Sequence, residues 1–482
     1  MIACVSLSTG CAPAQESATP NTEAKTWLAG DHHIHSRYSV GWDTEKTPPA
    51  PIIGGDAIYP TPMNALMAKH FGLSWMVTTD HGGPNHSKIN RDVAHQELEQ
   101  SRVVVSDVVQ FYGMELNTPG GDHSSLIIPH SHEEAAVLHH LESEFDKLER
   151  FPLDPSRDSE DKMIDALKAM RALEQQPIVI ANHPSRSATG HGEYGLFDPA
   201  EFRRWNDAAP EVAVGMAGAP GHQAIALTTS PQFGQTVGAF FQSPSDDYRV
   251  RGAYFGFPTM GGFDQMTAEL GGFWDSMLGE GRHWWITANS DSHKHYSEGG
   301  IDFWPGEYSK TYVLAHKNHN SILAGLRAGH VFVTTGDLVS EVYVDVAAAE
   351  ERASIGEEIT VPLGTRINVS IRILDPISPN GAGQVPTVSR VDLILGEITG
   401  LGDDATNNRN ASTRVERRFT TTDWKRDGRY LTMHHDITVS GSVYVRVRGT
   451  NTDELEPLVD PPAEDPWQDL WFYTNPVVIQ VR

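Results

Sequence analysis

The feature that most limits the fold of this chain is an alternation between residues 27 and 336. Short apolar runs of strand length are separated there by stretches with helical spacing. The runs are WLAGDHHIH (27–35), LSWMVTTDH (73–81), QFYGMEL (110–116), PIVIANHP (177–184), EVAVGMAG (211–218), HWWITANSD (283–291) and KTYVLA (310–315). Thr61-Pro62 opens a helix in the N-cap and N1 manner. Segments 131–150 and 159–176 carry apolar residues three and four apart, as a helix with one buried face does. Strand, helix, strand repeated this often predicts a parallel α/β architecture over 27–337, either an open doubly wound sheet or a barrel. Within it, 191–262 is rich in Gly, Pro and Ser and reads largely as long loops, placed to roof a site. After residue 337 the pattern changes. EVYVDVA, TRINVSIRIL, VSRVDLIL, YLTMHHDITV, SVYVRVRGT and NPVVIQVR alternate apolar and polar residues between turn formers. That predicts an antiparallel β-sandwich over 338–482.

A chain of 482 residues has room for two such domains. Its net charge of −26, from 63 acidic and 37 basic residues, repels nucleic acid and anionic membranes at long range. Nucleic acid is therefore not an expected partner, and an anionic substrate needs a local positive source. Bound metal ions can be that source. Both cysteines, Cys4 and Cys11, stand near the N-terminus, which leaves the folded body without a disulfide framework or a cysteine zinc site. The opening MIACVSLSTGCAPAQ resembles a bacterial lipoprotein signal with Cys11 as the lipidated residue, and 1–26 reads as leader plus polar tether. The expected location is periplasmic or lipid-anchored, with the cytoplasm as alternative. No stretch approaches the roughly 20 apolar residues of a membrane span. The sequence leaves the oligomeric state open.

Five segments place potential metal ligands at the C-terminal ends of predicted strands. They are Asp31-His32-His33-Ile34-His35, Thr79-Asp80-His81, Gly113-Met114-Glu115 with Asp122-His123 downstream, Asn182-His183-Pro184, and Ser290-Asp291-Ser292-His293. Residues two apart on a strand face the same way, so His33 and His35 project together while His32 and Ile34 face away. Asp291 and His293 repeat that spacing. Each segment alone has an ordinary structural reading: a core histidine, a helix cap, a turn. In a parallel barrel the strand ends converge on one face, and five clusters there make a site for more than one ion. Imidazole and carboxylate donors without thiolate suit Zn, Mn or Fe in an open site.

The set Asp-x-His-x-His-x-x-x-Ser, Thr-Asp-His, Gly-x-Glu with a later His, His-Pro and Ser-Asp-x-His resembles the PHP (polymerase and histidinol phosphatase) family, in the right order over about 30–335. The resemblance implies a distorted (β/α)7 barrel holding two or three divalent ions. It implies that His33, His35, Glu115 and Asp291 surround one ion. Glu115 bridges to a second, held also by His123 and His183, and His81 and His293 hold a third. The family often has a His or Asp about five residues after the second histidine of its first motif. Here that residue is Val40, and Asp43 is the candidate replacement. The C-terminal segment resembles a branch that includes carbaryl hydrolases and exported phosphoesterases.

These readings imply a metal-dependent hydrolase in which a metal-activated hydroxide attacks a small-molecule ester. Glu115 acts as bridge, and Asp291 as ligand and proton acceptor. Asp80 and Asp31 orient ligands. His191 or His222 is the candidate acid, with solvent-exposed loop histidines as the alternative. Arg186 and Arg37 are candidates to meet an anionic oxygen, with structural ion pairs as the alternative. An organic phosphodiester is preferred, since the motif segments supply few of the cations a monoester dianion calls for. Carbamate or carboxylic ester cleavage and phosphomonoester cleavage are the alternatives within hydrolases, and a catalytically idle metal- or carbohydrate-binding surface protein is the one outside them. No Gly-x-Ser-x-Gly elbow and no P-loop glycine motif is present.

Overall fold

A computed structural model of the chain describes residues 24–188, 190–221, 259–298, 300, 302–460 and 465–482. Cys4 and Cys11 lie outside the described residues, as does 222–258 within the predicted loop region. All seven apolar runs are strands: β1 (Thr26–Ile34), β2 (Trp75–Asp80), β3 (Val109–Asn117), β5 (Ile178–Ala181), β6 (Ala213–Pro220), β7 (Trp285–Asn289) and β8 (Ser309–Ala315). One more, β4 (His123–Ile128), lies between β3 and β5. Its HSSLII begins with three polar residues, which hid it from a search for apolar runs.

These strands belong to one mixed sheet, ordered β7-β6-β5-β4-β3-β2-β1-β8 over this part. The pairs β1/β2, β2/β3, β5/β6 and β6/β7 are parallel. The pairs β3/β4, β4/β5 and β1/β8 are antiparallel. The sheet is thus mixed where alternation alone predicted a parallel one. The cause is local: only residues 118–122 join β3 to β4, too few for a crossover helix, so the chain must double back. Thr118 N donates to Asp122 O at 3.0 Å to close that turn. Gly120 sits in it at φ 75°, where a Cβ would come within 2.4 Å of Glu160 N. The last strand end returns to the first: Asp291 N donates to His33 O and His35 N to Ser292 O, both at 3.0 Å. Strands such as β2 and β5 are buried along their whole length, as expected where both faces are covered.

The predicted helices are present as α1 (Thr61–His70), α2 (Glu134–Phe145) and α3 (Glu160–Arg171). Pro60, not Thr61, is the N-cap of α1, a shift of one residue. Ser159 caps α3 through Lys162 N. The segment 191–262 is less loop-like than its composition suggests, since it contains α4 (Pro199–Ala208) as well as β6. Asp198-Pro199 was the available signal: the Asp198 side chain accepts from Ala200 N and Glu201 N, and Pro199 takes the first helical position. Among the described residues no helix is long and apolar enough to cross a membrane.

The sheet does not stop at residue 337. β9 (Val331–Thr335) pairs with β8 on one side and with Trp471–Thr474 on the other, and the sheet continues through Val443–Thr450 and Arg390–Glu397. Facing these strands is a separate antiparallel sheet centred on Glu341–Ala348, Arg366–Leu374 and Tyr430–Thr438. Their alternate residues, Val342, Val344, Ile367 and Val369 among them, share a core with Val391, Leu393, Val445 and Val447. One departure from an all-antiparallel pattern is the parallel pair Glu358–Val361 with Val477–Val481. Asp275, on the helix Phe273–Gly279, receives Arg446 Nε at 2.9 Å and Nη2 at 2.8 Å from Val443–Thr450.

His86, the first residue of the short helix His86–Ile89 that follows β2, ties that segment to α2. Its Nδ1 donates to Glu142 Oε1 at 2.7 Å and its Nε2 to Tyr38 O at 2.8 Å, which requires both ring protons. Burial would lower its pKa, but Glu142 overrides that and raises it to about 9. The raised value means the stabilisation is full below the unfolded pKa near 6.5 and is lost as pH rises through about 9. Urea denaturation at pH 6 and pH 9.5 should show a loss on the order of 3 kcal/mol that His86→Gln removes. An unchanged pH slope in that variant would show that His86 is not the titrating group.

Candidate metal centre

β1 ends in a local irregularity, with a register shift against β2 between Asp31 and Ile34. Asp31 accepts from His33 N and from Ser290 N, both at 3.0 Å, and so fastens the end of β1 to the chain after β7. Beyond it, His33 Nε2 and His35 Nε2 approach to 3.0 Å. Asp291 Oδ1 lies 3.1 Å from the first and 3.0 Å from the second, and Glu115 Oε1 lies 3.0 Å from His33 Nε2. All four side chains are at most 2% exposed.

Two further groups adjoin this one. His123 Nδ1 and His183 Nε2 stand 3.1 Å and 3.2 Å from Glu115 Oε1. His81 Nε2 and His293 Nε2 stand 3.2 Å and 3.5 Å from Asp56 Oδ2. The donor atoms of each set, His33/His35/Glu115/Asp291, Glu115/His123/His183 and His35/Asp56/His81/His293, lie within 4.8 Å of one another. Each set can hold a metal ion. Glu115 is common to the first two, and His35 to the first and third.

The surroundings prepare the ligand atoms. His35 Nδ1 and Ser39 Oγ hydrogen-bond at 2.7 Å, and His293 Nδ1 donates to Asp291 O at 2.9 Å, which turns Nε2 of each ring toward the ligand sets. Burial holds His35 neutral, lowering its pKa to about 3, and lowers His183 to about 4. Against burial, which would raise it, His123 and His33 hold the Glu115 carboxyl well below the ordinary range. Asn182 Nδ2 donates to Glu115 Oε1 at 3.0 Å. His183 at φ 30° and Asp291 at φ 51° are in the left-handed region, a cost accepted where a side chain must be aimed.

The donor chemistry fits divalent cations. Two imidazole nitrogens 3.0 Å apart, converging with two buried carboxylates, make poor hydrogen-bond partners for one another. Buried carboxylates need compensating positive charge. Arg186, whose Nη2 lies 3.3 Å from His123 Nδ1, is already engaged, donating to Asp122 Oδ1 at 2.6 Å.

A cavity of about 540 Å³ opens on Asp56, His81 and His123. These side chains are 35%, 22% and 19% exposed, so the second and third sets face the entrance while the first is sealed.

Asp43 does not join the cluster. It lies on the short hairpin strand Gly41–Asp43, with Oδ2 3.2 Å from Lys46 Nζ. Asp56 was missed because the chain leaves after Val40, forms that hairpin, and returns at Ala57, whose N donates to Ser39 O at 3.3 Å. Asp56 is therefore beside Val40 in space and sixteen residues away in sequence. Gly41 and Gly55 permit the return, since a Cβ on Gly55 would meet Gly41 N at 2.8 Å. Asp56→Ala should lower bound metal by one equivalent per chain, while Asp43→Ala leaves it unchanged, as read by plasma mass spectrometry. The reverse result would restore Asp43 to the site.

Other expected residues take different roles. Asp80 accepts from Ser36 N at 2.5 Å and Ser36 Oγ at 2.7 Å, so it fixes the turn after His35 instead of bonding to His81. Arg186 is paired with Asp122, and Arg37 with Glu97, which is the structural reading of both. His191 is exposed and has no hydrogen bond or ion pair among the described residues. His222 lies outside the described residues. His32 does not simply face away. It bonds Ser125 Oγ at 3.1 Å, and Ser125 leads through Asn182 to Glu115, because the β1 irregularity breaks strict alternation. Neither a scan against protein-family models nor a search of curated proteins finds a match to this chain.

Proposed function

We propose that this protein is a metal-dependent hydrolase of the PHP type that cleaves organic phosphodiesters. The observation that carries the proposal is the sharing of donors: three ligand sets linked through Glu115 and His35, opening on one cavity. The strand arc from β7 to β1, whose ends meet at Asp291 and His33, supports reading the sheet as a distorted (β/α)7 barrel.

In this reading His33, His35, Glu115 and Asp291 hold one ion, Glu115, His123 and His183 a second, and His35, Asp56, His81 and His293 a third. Histidine and carboxylate donors suit Zn, Mn or Fe. Bound ions supply Lewis acidity and a water that ionises near neutral pH. The residues do the rest. Ser39 orients the His35 ring, and the Asp291 carbonyl sets the tautomer of His293. Asp291, with Oδ2 3.9 Å from His183 Nε2, serves as ligand and proton acceptor. The sealed first set restricts the substrate to the side of Asp56, His81 and His123.

A diester is preferred because Arg186 and Arg37 are neutralised by Asp122 and Glu97, and among the described residues Arg150 is the one arginine or lysine in the cavity lining. A dianionic monoester would call for more. Carbamate or carboxylic ester cleavage is the second reading, favoured by the apolar part of that lining. The test compares Mn- or Zn-loaded protein on bis(p-nitrophenyl) phosphate, p-nitrophenyl phosphate and 1-naphthyl N-methylcarbamate, each with a chelator control. Chelator-sensitive turnover led by the diester is expected. A lead by the carbamate would move the assignment to the second reading, and no turnover by metal-loaded protein would overturn hydrolysis of these esters.

A further inference from the structure

The cavity above the ligand sets has an unusual wall. Leu148, Phe151 and Leu153 are 37%, 45% and 60% exposed, and all three line the cavity together with Trp42. Single exposed apolar residues need no explanation, but three around one opening, joined by the half-buried Trp42, do. Their exposure is imposed by the backbone. Glu149 is fixed, receiving Ser87 Oγ at 2.6 Å while its carbonyl accepts from Asn85 N at 2.9 Å. Leu148 N is held by Asp146 Oδ1 at 2.8 Å. With Glu149 anchored to the loop after β2, its neighbours are left at the cavity. Across the opening, the Trp42 indole lies over Gly83, where a Cβ would come within 3.3 Å of the ring. Arg150 shares the wall, is exposed, and makes no ion pair among the described residues.

We propose that Trp42, Leu148, Phe151 and Leu153 form a subsite for a large apolar arm of the substrate, and that Arg150 binds the single negative charge beside it. The occupant is an ester monoanion with an aryl or similarly bulky group, its reacting centre at Asp56, His81 and His123. This rests on the hydrolase reading for the reaction but not for the binding. A volume of about 540 Å³ suits such a ligand. The wall thereby sets specificity: the cluster is indifferent to the arm, and the apolar surface discriminates.

Two readouts test it on metal-loaded full-length protein. The first is kcat and KM for bis(p-nitrophenyl) phosphate against methyl p-nitrophenyl phosphate. The second is binding of diphenyl phosphate by titration calorimetry, which needs no turnover. Phe151→Ala and Leu153→Ala are expected to cut the preference for the diaryl ester by about tenfold, mainly through KM. Arg150→Gln should weaken diphenyl phosphate binding by about tenfold and leave KM for neutral p-nitrophenyl acetate unchanged. All three sites are exposed, and unchanged circular dichroism and metal content would show the fold intact. If the diesters are hydrolysed but preference and binding are the same in every variant, the subsite is overturned and the hydrolase reading stands. If no ester is hydrolysed but diphenyl phosphate binds and the variants weaken it, the subsite stands and the hydrolase reading falls.

Discussion

Glu115→Ala is expected to remove two metal equivalents at once, while His123→Ala removes one. Glu115 is the carboxylate common to the His33/His35/Asp291 and His123/His183 sets, and its Oε1 is within 3.2 Å of His33, His123 and His183. Its loss leaves the first position with Asp291 as its one carboxylate and strips the second of its anionic donor, so that imidazoles face one another there. The charge stabilisation lost is worth several kcal/mol, so hydrolysis of the best substrate should fall on the order of 1000-fold. His33→Ala and Asp291→Asn should act similarly on activity, since both belong to the sealed set. Metal content by plasma mass spectrometry is the deciding measurement. A loss of a single equivalent from Glu115→Ala would show that the carboxylate does not bridge, whatever happens to the rate.

The largest effect on stability is expected far from the ligands. Asp275→Ala should destabilise the protein by about 3–5 kcal/mol, the cost of leaving a buried charge without its partner. Asp275 and Arg446 are each 1% exposed, and Asp275 also accepts from Tyr444 Oη at 2.9 Å and Gly271 N at 2.8 Å. Without it, the Arg446 guanidinium retains the Trp274 ring, 4.7 Å away, and no carboxylate among the described residues. Replacing both partners, Asp275→Ala with Arg446→Met, should recover part of the loss because no buried charge is then stranded. Urea denaturation of the two single variants and the double variant gives the coupling. A double variant as unstable as the sum of the singles would mean that the pair is not the unit that matters.

The same contact bears on domain organisation. Composition divides the chain cleanly at residue 338, and the change from helical spacing to strict alternation is visible there. The sheet nevertheless crosses that position through β9 and Trp471–Thr474, and the Asp275–Arg446 pair joins the two parts again. Pairing between distant strands follows from edge geometry and buried charge, neither of which leaves a local pattern.

Sequence by itself determined the elements with strong periodicity and picked out candidate ligands with fixed local spacing. His33 with His35 and Asp291 with His293 were legible because two residues along an extended chain bring side chains to one place. Glu115, His123 and His183 were legible through their motifs. Tertiary structure alone decided three things. It reversed β4, because a five-residue link cannot cross a sheet. It brought Asp56 beside Val40, because a hairpin between them returns the chain through paired glycines. It paired Arg186 with Asp122 and Arg37 with Glu97, and left Arg150 in the cavity wall without an ion pair among the described residues. Spacing records what neighbours in the chain can do together, whereas the partner of a charge, or the ligand beyond a loop, depends on where the chain comes back.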